Sequence, residues 1–191
     1  MKAKILGRLL AVVLVFQTTS CDFSQHLFEE GSDTWNAYGD ASWEFLDGNL
    51  IGQVKNQSGF VMTTNSYKDF RLELEFFPDS TINSGVFIRC TRKELSATDC
   101  HELNIWDLHP NQDFRTGAIV TKAVPQKKVE TLNQWNTYRI EARNSRIQVW
   151  INGHLTADAQ LVNPPEGYIA LQAMGKGRIQ FRNMVLTEIK P

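Results

Sequence analysis

Residues 69–76 read DFRLELEF, and this run constrains the fold more than any other. Phe70, Leu72, Leu74 and Phe76 fall on one face; Arg71, Glu73 and Glu75 fall on the other. Side chains alternate across a strand, so the run predicts an antiparallel strand with one face in a core and one in water. The same alternation recurs. Tyr138, Ile140 and Ala142 share a face, as do Ile147, Val149 and Ile151. Gly59–Thr64, Thr116–Thr121, Tyr168–Gln172, Arg178–Phe181 and Val185–Ile189 are further short strand candidates. Asp47-Gly48 sits between apolar flanks, a hairpin signal, and Asn144-Ser145 and Asn152-Gly153 punctuate later runs. No segment after the N-terminus keeps a helical period. Many short strands with turn residues between them predict an all-β protein, an antiparallel β-sandwich or jelly roll.

The first twenty residues read differently. Lys2, Lys4 and Arg8 precede an apolar run, Leu9 to Phe16, that is too short to span a bilayer. Residues 1–20 are therefore expected to be an export signal. Small polar residues before Cys21 fit a lipoprotein cleavage box, with Cys21 as the lipidated first residue. Residues 21–33 would be a tether and 34–191 one sandwich domain. The location expected is the cell envelope, held by the lipid alone; Asp22 bears on which membrane, but the host sets that rule. The whole chain carries a formal charge of −1, and removing the basic start makes the remainder more acidic. No basic tract is left, so nucleic acid is not an expected partner.

The stretch 83–107 contains the chemistry. It reads NSGVFIRC, a polar link, then CHELNIWD. Alternation puts Val86, Ile88 and Cys90 on one face and Phe87 and Arg89 on the other. Leu103, Ile105 and Asp107 share a face, opposite Glu102, Asn104 and Trp106. If the two runs pair in register, one face is oily and the other carries Arg89, Glu102, Asn104 and two aromatic rings. Glu102 beside Trp106 is the candidate base, since partial desolvation raises a carboxylate pKa towards neutrality. A structural ion pair with Arg89 is the competing role. Arg89 could polarise a carbonyl oxygen. Asp107 and His109 stand where the second run enters a loop. Asn83, Ser84, Gln172 and Lys122 are hydrogen-bonding candidates for a ligand, and Gly85 could let a ligand approach the backbone. Of the five tryptophans, Trp106 is the one placed to stack on a sugar. Cys90 and Cys100 remain as a pair that export would allow to bridge; two separate buried thiols are the other reading. With His101 as the nearest other donor, the two cysteines lack metal-ligand spacing, and no metal or cofactor is expected.

Taken together, NSGVFIR (83–89), HELNIWD (101–107), TGAIV (116–120), QWNTYRIEARNSRIQVWINGH (134–154), GYIALQ (167–172) and GRIQFRNMVLTEI (177–189) resemble the DUF1080 family. That family is also called the 3-keto-disaccharide hydrolase domain. WNAYGDASWEFLDGNLIG (35–52) is similar too. The resemblance implies a concanavalin-like (LamG-like) sandwich and action on glycosides oxidised to a ketone at sugar carbon 3. Glu102 matches the family's Glu and would take the C2 proton. Arg89 would stabilise the oxyanion, and His109 would protonate the leaving group. Asn83, Ser84, Phe87, Asn104, Trp106, Asp107, Lys122 and Gln172 would line the substrate. The partner implied is an oxidised sugar or another glycan. The sequence departs from the family pattern at His101, at Ala173-Met174-Gly175 and in the loop after Asp107. A carbohydrate-binding module without turnover is therefore the alternative.

Overall fold

The structure is a computed structural model that describes residues 23–29, 31–96, 98–162 and 164–190. The expected export signal and Cys21 lie outside the described residues. In chain order the strands are β1 (Ser24–His26), β2 (Trp35–Gly39), β3 (Ser42–Leu46), β4 (Asn49–Val54), β5 (Gly59–Thr63), β6 (Phe70–Pro78) and β7 (Ile82–Cys90). They continue with β8 (His101–Ile105), β9 (Asn136–Arg143), β10 (Arg146–Ile151), β11 (His154–Gln160), β12 (Tyr168–Gly175) and β13 (Gly177–Glu188). A 3₁₀ turn at Gln112–Phe114 is the only helical element among the described residues.

All pairings are antiparallel. One sheet runs β11-β10-β9-β6-β13-β4-β3, with β1 added beside β13; the other runs β2-β5-β12-β7-β8. The core lies between them. Phe70, Leu72, Phe76, Ile140, Val149 and Phe181 from the first sheet meet Val86, Ile88, Leu103, Ile105 and Leu171 from the second. All are buried, and each large apolar side chain removed from water stabilises by about 1.5–3 kcal/mol. This is the sandwich that the alternation of residues 69–76 predicts.

Several elements differ from their expected form. β2 and β11 were not expected as strands. β2 is half exposed and β11 alternates poorly, and both are edge strands. Residues 116–121 form no strand; Ile119 makes isolated bridges to Leu103 and to Ala123. The last two candidate strands are one strand, β13, whose register shifts between Arg182 and Val185 with Asn183 at φ 52°. A bulge absorbs the irregular Asn183-Met184. The expected tether also contributes to the fold. Ser24–His26 pairs with Val185–Thr187 and Leu27 is buried in the core, so the sandwich begins before residue 34.

Cys90 and Cys100 form a disulfide. Both sulfurs lie in a small second cluster with Met62, Phe87 and Ala170 on the outer side of the second sheet. Replacing both cysteines by alanine is expected to lower stability by about 3 kcal/mol, the chain-entropy value for a loop of this length. Urea unfolding of the oxidised protein against the double variant measures it.

Candidate functional site

The outer face of the second sheet can be laid out row by row from its register. One row is Tyr38–Phe60–Gln172–Gly85–Asn104; the adjacent row is Asn36–Met62–Ala170–Phe87–Glu102. Met174 and Asn83 begin a third, which the alternation of β8 continues to Trp106. Tyr38 and Phe60 stack, with centroids 5.0 Å apart. Phe87 and Met62 pack with the disulfide as an apolar floor. Gly85 lies in the middle of the face, and its neighbours close in over the position. A Cβ there would come within 3.3 Å of the Leu103 carbonyl oxygen and the Phe87 ring, and 3.6 Å from the Glu102 side chain. The Phe87 ring and the Glu102 side chain thus pack over Gly85, a close approach that the missing side chain allows.

Glu102 is half-buried on this face. Among the described residues no hydrogen bond or ion pair reaches its carboxylate. Burial alone raises its pKa above the usual carboxylate value. Asn83 and Gln172 bury their amide oxygens without partners, which leaves the NH₂ ends open on the surface of neighbouring strands. Asn104 is almost fully buried; its amide nitrogen donates to the Phe114 carbonyl. That bond ties the loop after β8 to the strand. Trp106 meets the His109 ring edge-on at 4.5 Å, and His109 meets Phe114 at 5.6 Å. His109 Nδ1 donates to the Asn111 carbonyl oxygen at 2.7 Å in one tautomer and accepts from the Asn111 N–H at 3.0 Å in the other. The loop therefore brings His109 to the Trp106 end of the face.

Three expected site residues are elsewhere. Arg89 does not share the face with Phe87 and Glu102. The register shifts between Tyr168 and Ala170 and Arg89 adopts φ 54°, so one extra residue is accommodated and the alternation reverses. Cys90 takes the outer position, and the Arg89 side chain turns inward, fully buried. Its Nη2 donates to the Lys68 carbonyl at 3.0 Å and to Asp69 at 3.3 Å. Burial lowers its pKa, against the raising effect of Asp69. Gly167 is required there, since a Cβ would sit 2.4 Å from the Arg89 carbonyl carbon. Arg89→Met keeps much of the volume and removes two charged hydrogen bonds, to the Lys68 carbonyl and to Asp69. It is expected to cost about 2 kcal/mol in urea unfolding.

Ser84 points into the core side and donates to the Gln172 carbonyl at 2.6 Å. Asp107 is buried as well. Its carboxylate accepts from Thr131 N at 2.6 Å and Thr131 Oγ1 at 2.9 Å, with Arg115 Nη2 at 3.7 Å. It is a clasp for the loop and not a ligand contact. Lys122 is exposed on the turn beyond β8. Of the other tryptophans, Trp35 and Trp43 pack against the core. Trp135 and Trp150 lie under the guanidinium groups of Arg182 and Arg139. Tyr38, Phe60 and Phe114 escaped the sequence reading, because the strands or loops that carry them show no apolar alternation. Among the described residues no cluster of His, Cys, Asp or Glu could hold a metal ion.

Comparisons bear on this arrangement. The family model described as "3-keto-alpha-glucoside-1,2-lyase-like domain" matches residues 24–187. No curated protein matches the sequence. Among solved structures, a candidate glycosyl hydrolase from Parabacteroides distasonis ATCC 8503 superposes with a TM-score of 0.76 at 25% identity, covering 87% of this chain and 100% of that one. The carbohydrate-binding module CBM66 from Bacillus subtilis gives 0.63 at 17%, covering 81% and 96%. A Bacillus licheniformis beta-glucanase gives 0.62 at 15%, covering 90% and 100%. The latter two share the fold, a concanavalin-like sandwich.

Proposed function

Because the chain belongs to the family of 3-keto-alpha-glucoside-1,2-lyase-like domains, we propose that it cleaves glycosides carrying a ketone at sugar carbon 3, on the outer face of the second sheet. The observation that carries the reading is Glu102: a half-buried, unpaired carboxylate with a raised pKa on the outer face of the second sheet, packed beside Gly85. Adjacent strands lie about 5 Å apart. A pyranose lying across β7 on this face is therefore flanked by Glu102 on β8 and Gln172 on β12.

The chemistry follows from those positions. The ketone acidifies the C2 proton, and Glu102 takes it. The electron pair moves to the ketone oxygen, where the NH₂ groups of Asn83 and Gln172 donate to the developing charge. Amide donors serve in this way where no cation is at hand. As the carbonyl re-forms, the C1–O bond breaks, and the leaving oxygen takes a proton from His109. Water then adds to C1, returning a proton to His109, while Glu102 returns its proton to C2. The sum is hydrolysis of the glycosidic bond. Export and lipidation at Cys21 belong to the same proposal, which places the enzyme in the cell envelope.

The stacked pair Tyr38–Phe60 also suits a second reading, in which the face holds a glycan without turnover. The deciding experiment is release of the leaving group from a 3-keto-glucoside by wild type and by Glu102→Gln. Release that disappears in the variant supports the enzyme. Glycan binding with no release in wild type supports the binding module.

A further inference from the structure

One end of the sandwich gathers the start of β6, the turn between β9 and β10, the end of β11 and the end of β13. Phe70 pairs there with Ala142 and with Glu188, and Arg146 pairs with Arg143 and with Gln160. β1 enters at the same end, where Ser24 pairs with Thr187 and the Phe23 carbonyl accepts from Glu188 N. The two most exposed large apolar side chains among the described residues both stand here. Phe23 is 65% exposed, and Val162, just past β11, is 74% exposed. β1 and β11 lie on opposite sides of the first sheet, so the pair is on the order of 20 Å apart across the end. Single exposed apolar residues are ordinary. What sets this pair apart is its place, at the end where the chain enters the fold.

Between the two the surface is polar. A cavity of about 380 Å³ has Arg143, Arg146, Gln148 and Gln160 among its walls. Lys68 and Asn144 line a smaller one beside it. Among the described residues the Lys68 ammonium and the Arg143 guanidinium have no ion pair. The carboxylates nearby are mostly engaged: Asp69 with Arg89, Asp158 with Arg146 and Glu166 with Ser66. In the link after β7, Arg92 and Lys93 are matched by Glu94 and Asp99. That leaves Glu188 against Lys68 and Arg143.

Only Asp22 separates Cys21 from Phe23 in the sequence, and two residues reach at most about 7 Å. We infer that this end of the sandwich rests on a phospholipid bilayer, with Phe23 and Val162 at the acyl boundary and Lys68 and Arg143 at headgroup phosphates. The inference rests on the proposed lipidation of Cys21. A lipid so close to the fold holds this end against the bilayer at high effective concentration, so contacts too weak to bind a free protein are made. The docking also orients the candidate site. Asn83 pairs with Met174 at the other end of β7 and β12, so the Trp106 end of the face points away from the lipid, towards water.

Lysine acetylation tests this on the full chain, expressed with its own N-terminus and reconstituted in vesicles of phosphatidylethanolamine and phosphatidylglycerol. The comparison is a Phe23→Ser/Val162→Ser variant with a flexible Gly-Ser spacer inserted after Asp22. Both side chains are exposed, so the variant should melt as wild type does. Lys68 and Lys190, at the docked end, are expected to react about fivefold faster in the variant, because the short tether and the apolar contacts are both gone. Lys55 and Lys176, at the opposite end, should stay within about twofold. Equal rates at all four lysines in the two proteins, or faster reaction at Lys55 and Lys176 instead, overturns the docking. The mass of the N-terminal peptide reports on the anchor separately. A lipidated Cys21 with unchanged rates sinks the docking alone, and an unlipidated Cys21 sinks both.

Discussion

Glu102→Gln is expected to lower kcat on a 3-keto-glucoside by about 10²- to 10⁴-fold, the usual contribution of a positioned general base. The amide keeps the size and hydrogen-bonding reach of the carboxylate, so KM should change little. Wild-type kcat/KM should rise with pH as Glu102 ionises, with its midpoint above the ordinary glutamate value because burial holds the proton on. Stability runs the other way. A carboxyl whose pKa is higher folded than unfolded binds more protons in the native state. Its contribution is complete below the unfolded pKa and is lost as pH rises through the folded one. The glutamine variant should thus match wild type in acid and melt at a higher temperature near neutrality. A pH series of melting curves beside the rate profile checks both. A variant that is as active as wild type, or less stable at pH 7, would remove Glu102 from this role.

The same residue shows what alternation can and cannot reveal. Phe87, Glu102 and Asn104 lie on the face that their positions in NSGVFIRC and CHELNIWD assign, because the register of β7 and β8 is unbroken from Ser84 to Ile88. Arg89 is one residue further, and there the assignment fails. A bulge costs one residue of register and so exchanges the two faces. Nothing in the run FIRC announces a left-handed arginine; the cause is across the sheet, where Gly167 lets the backbone of residues 89–90 come close. For Asp107 the alternation itself gave the answer. It shares the inward side with Leu103 and Ile105, and the structure finds it buried. The polar side chain suggested a ligand contact, whereas a buried carboxylate needs protein donors first. Ser84 is a similar case, inward beside Ile82 and Val86 with its hydroxyl spent on the Gln172 carbonyl. The aromatic half of the face stayed hidden for another reason. Tyr38 sits on an edge strand without an apolar alternation, and only pairing with β5 sets it beside Phe60.

Asp107→Ala is expected to destabilise by about 3–5 kcal/mol, the cost of breaking a buried charge pair by removing one member. The mutation strands two buried donors and removes one of the two carboxylates beside Arg115. Thr131 loses acceptors for its N–H and its hydroxyl. Arg115, only 3% exposed, loses the carboxylate 3.7 Å away and keeps the Val129 carbonyl at 2.9 Å and the more exposed Glu130 carboxylate at 3.5 Å. Asp107 and Thr131 close the loop that carries His109, Phe114 and Lys122, so the effect should reach the site. Limited proteolysis should cut between residues 108 and 130 in the variant at protease levels that spare wild type. Asp107→Asn keeps an oxygen for Thr131 and should lose less. A double-mutant cycle with Thr131→Val isolates the clasp, since two residues in direct contact should couple by about 0.5–3 kcal/mol. Strict additivity in that cycle, or a variant whose loop resists cleavage as wild type does, would show that the loop is held by other contacts. The position of His109 and Phe114 at the Trp106 end of the face would then need another cause.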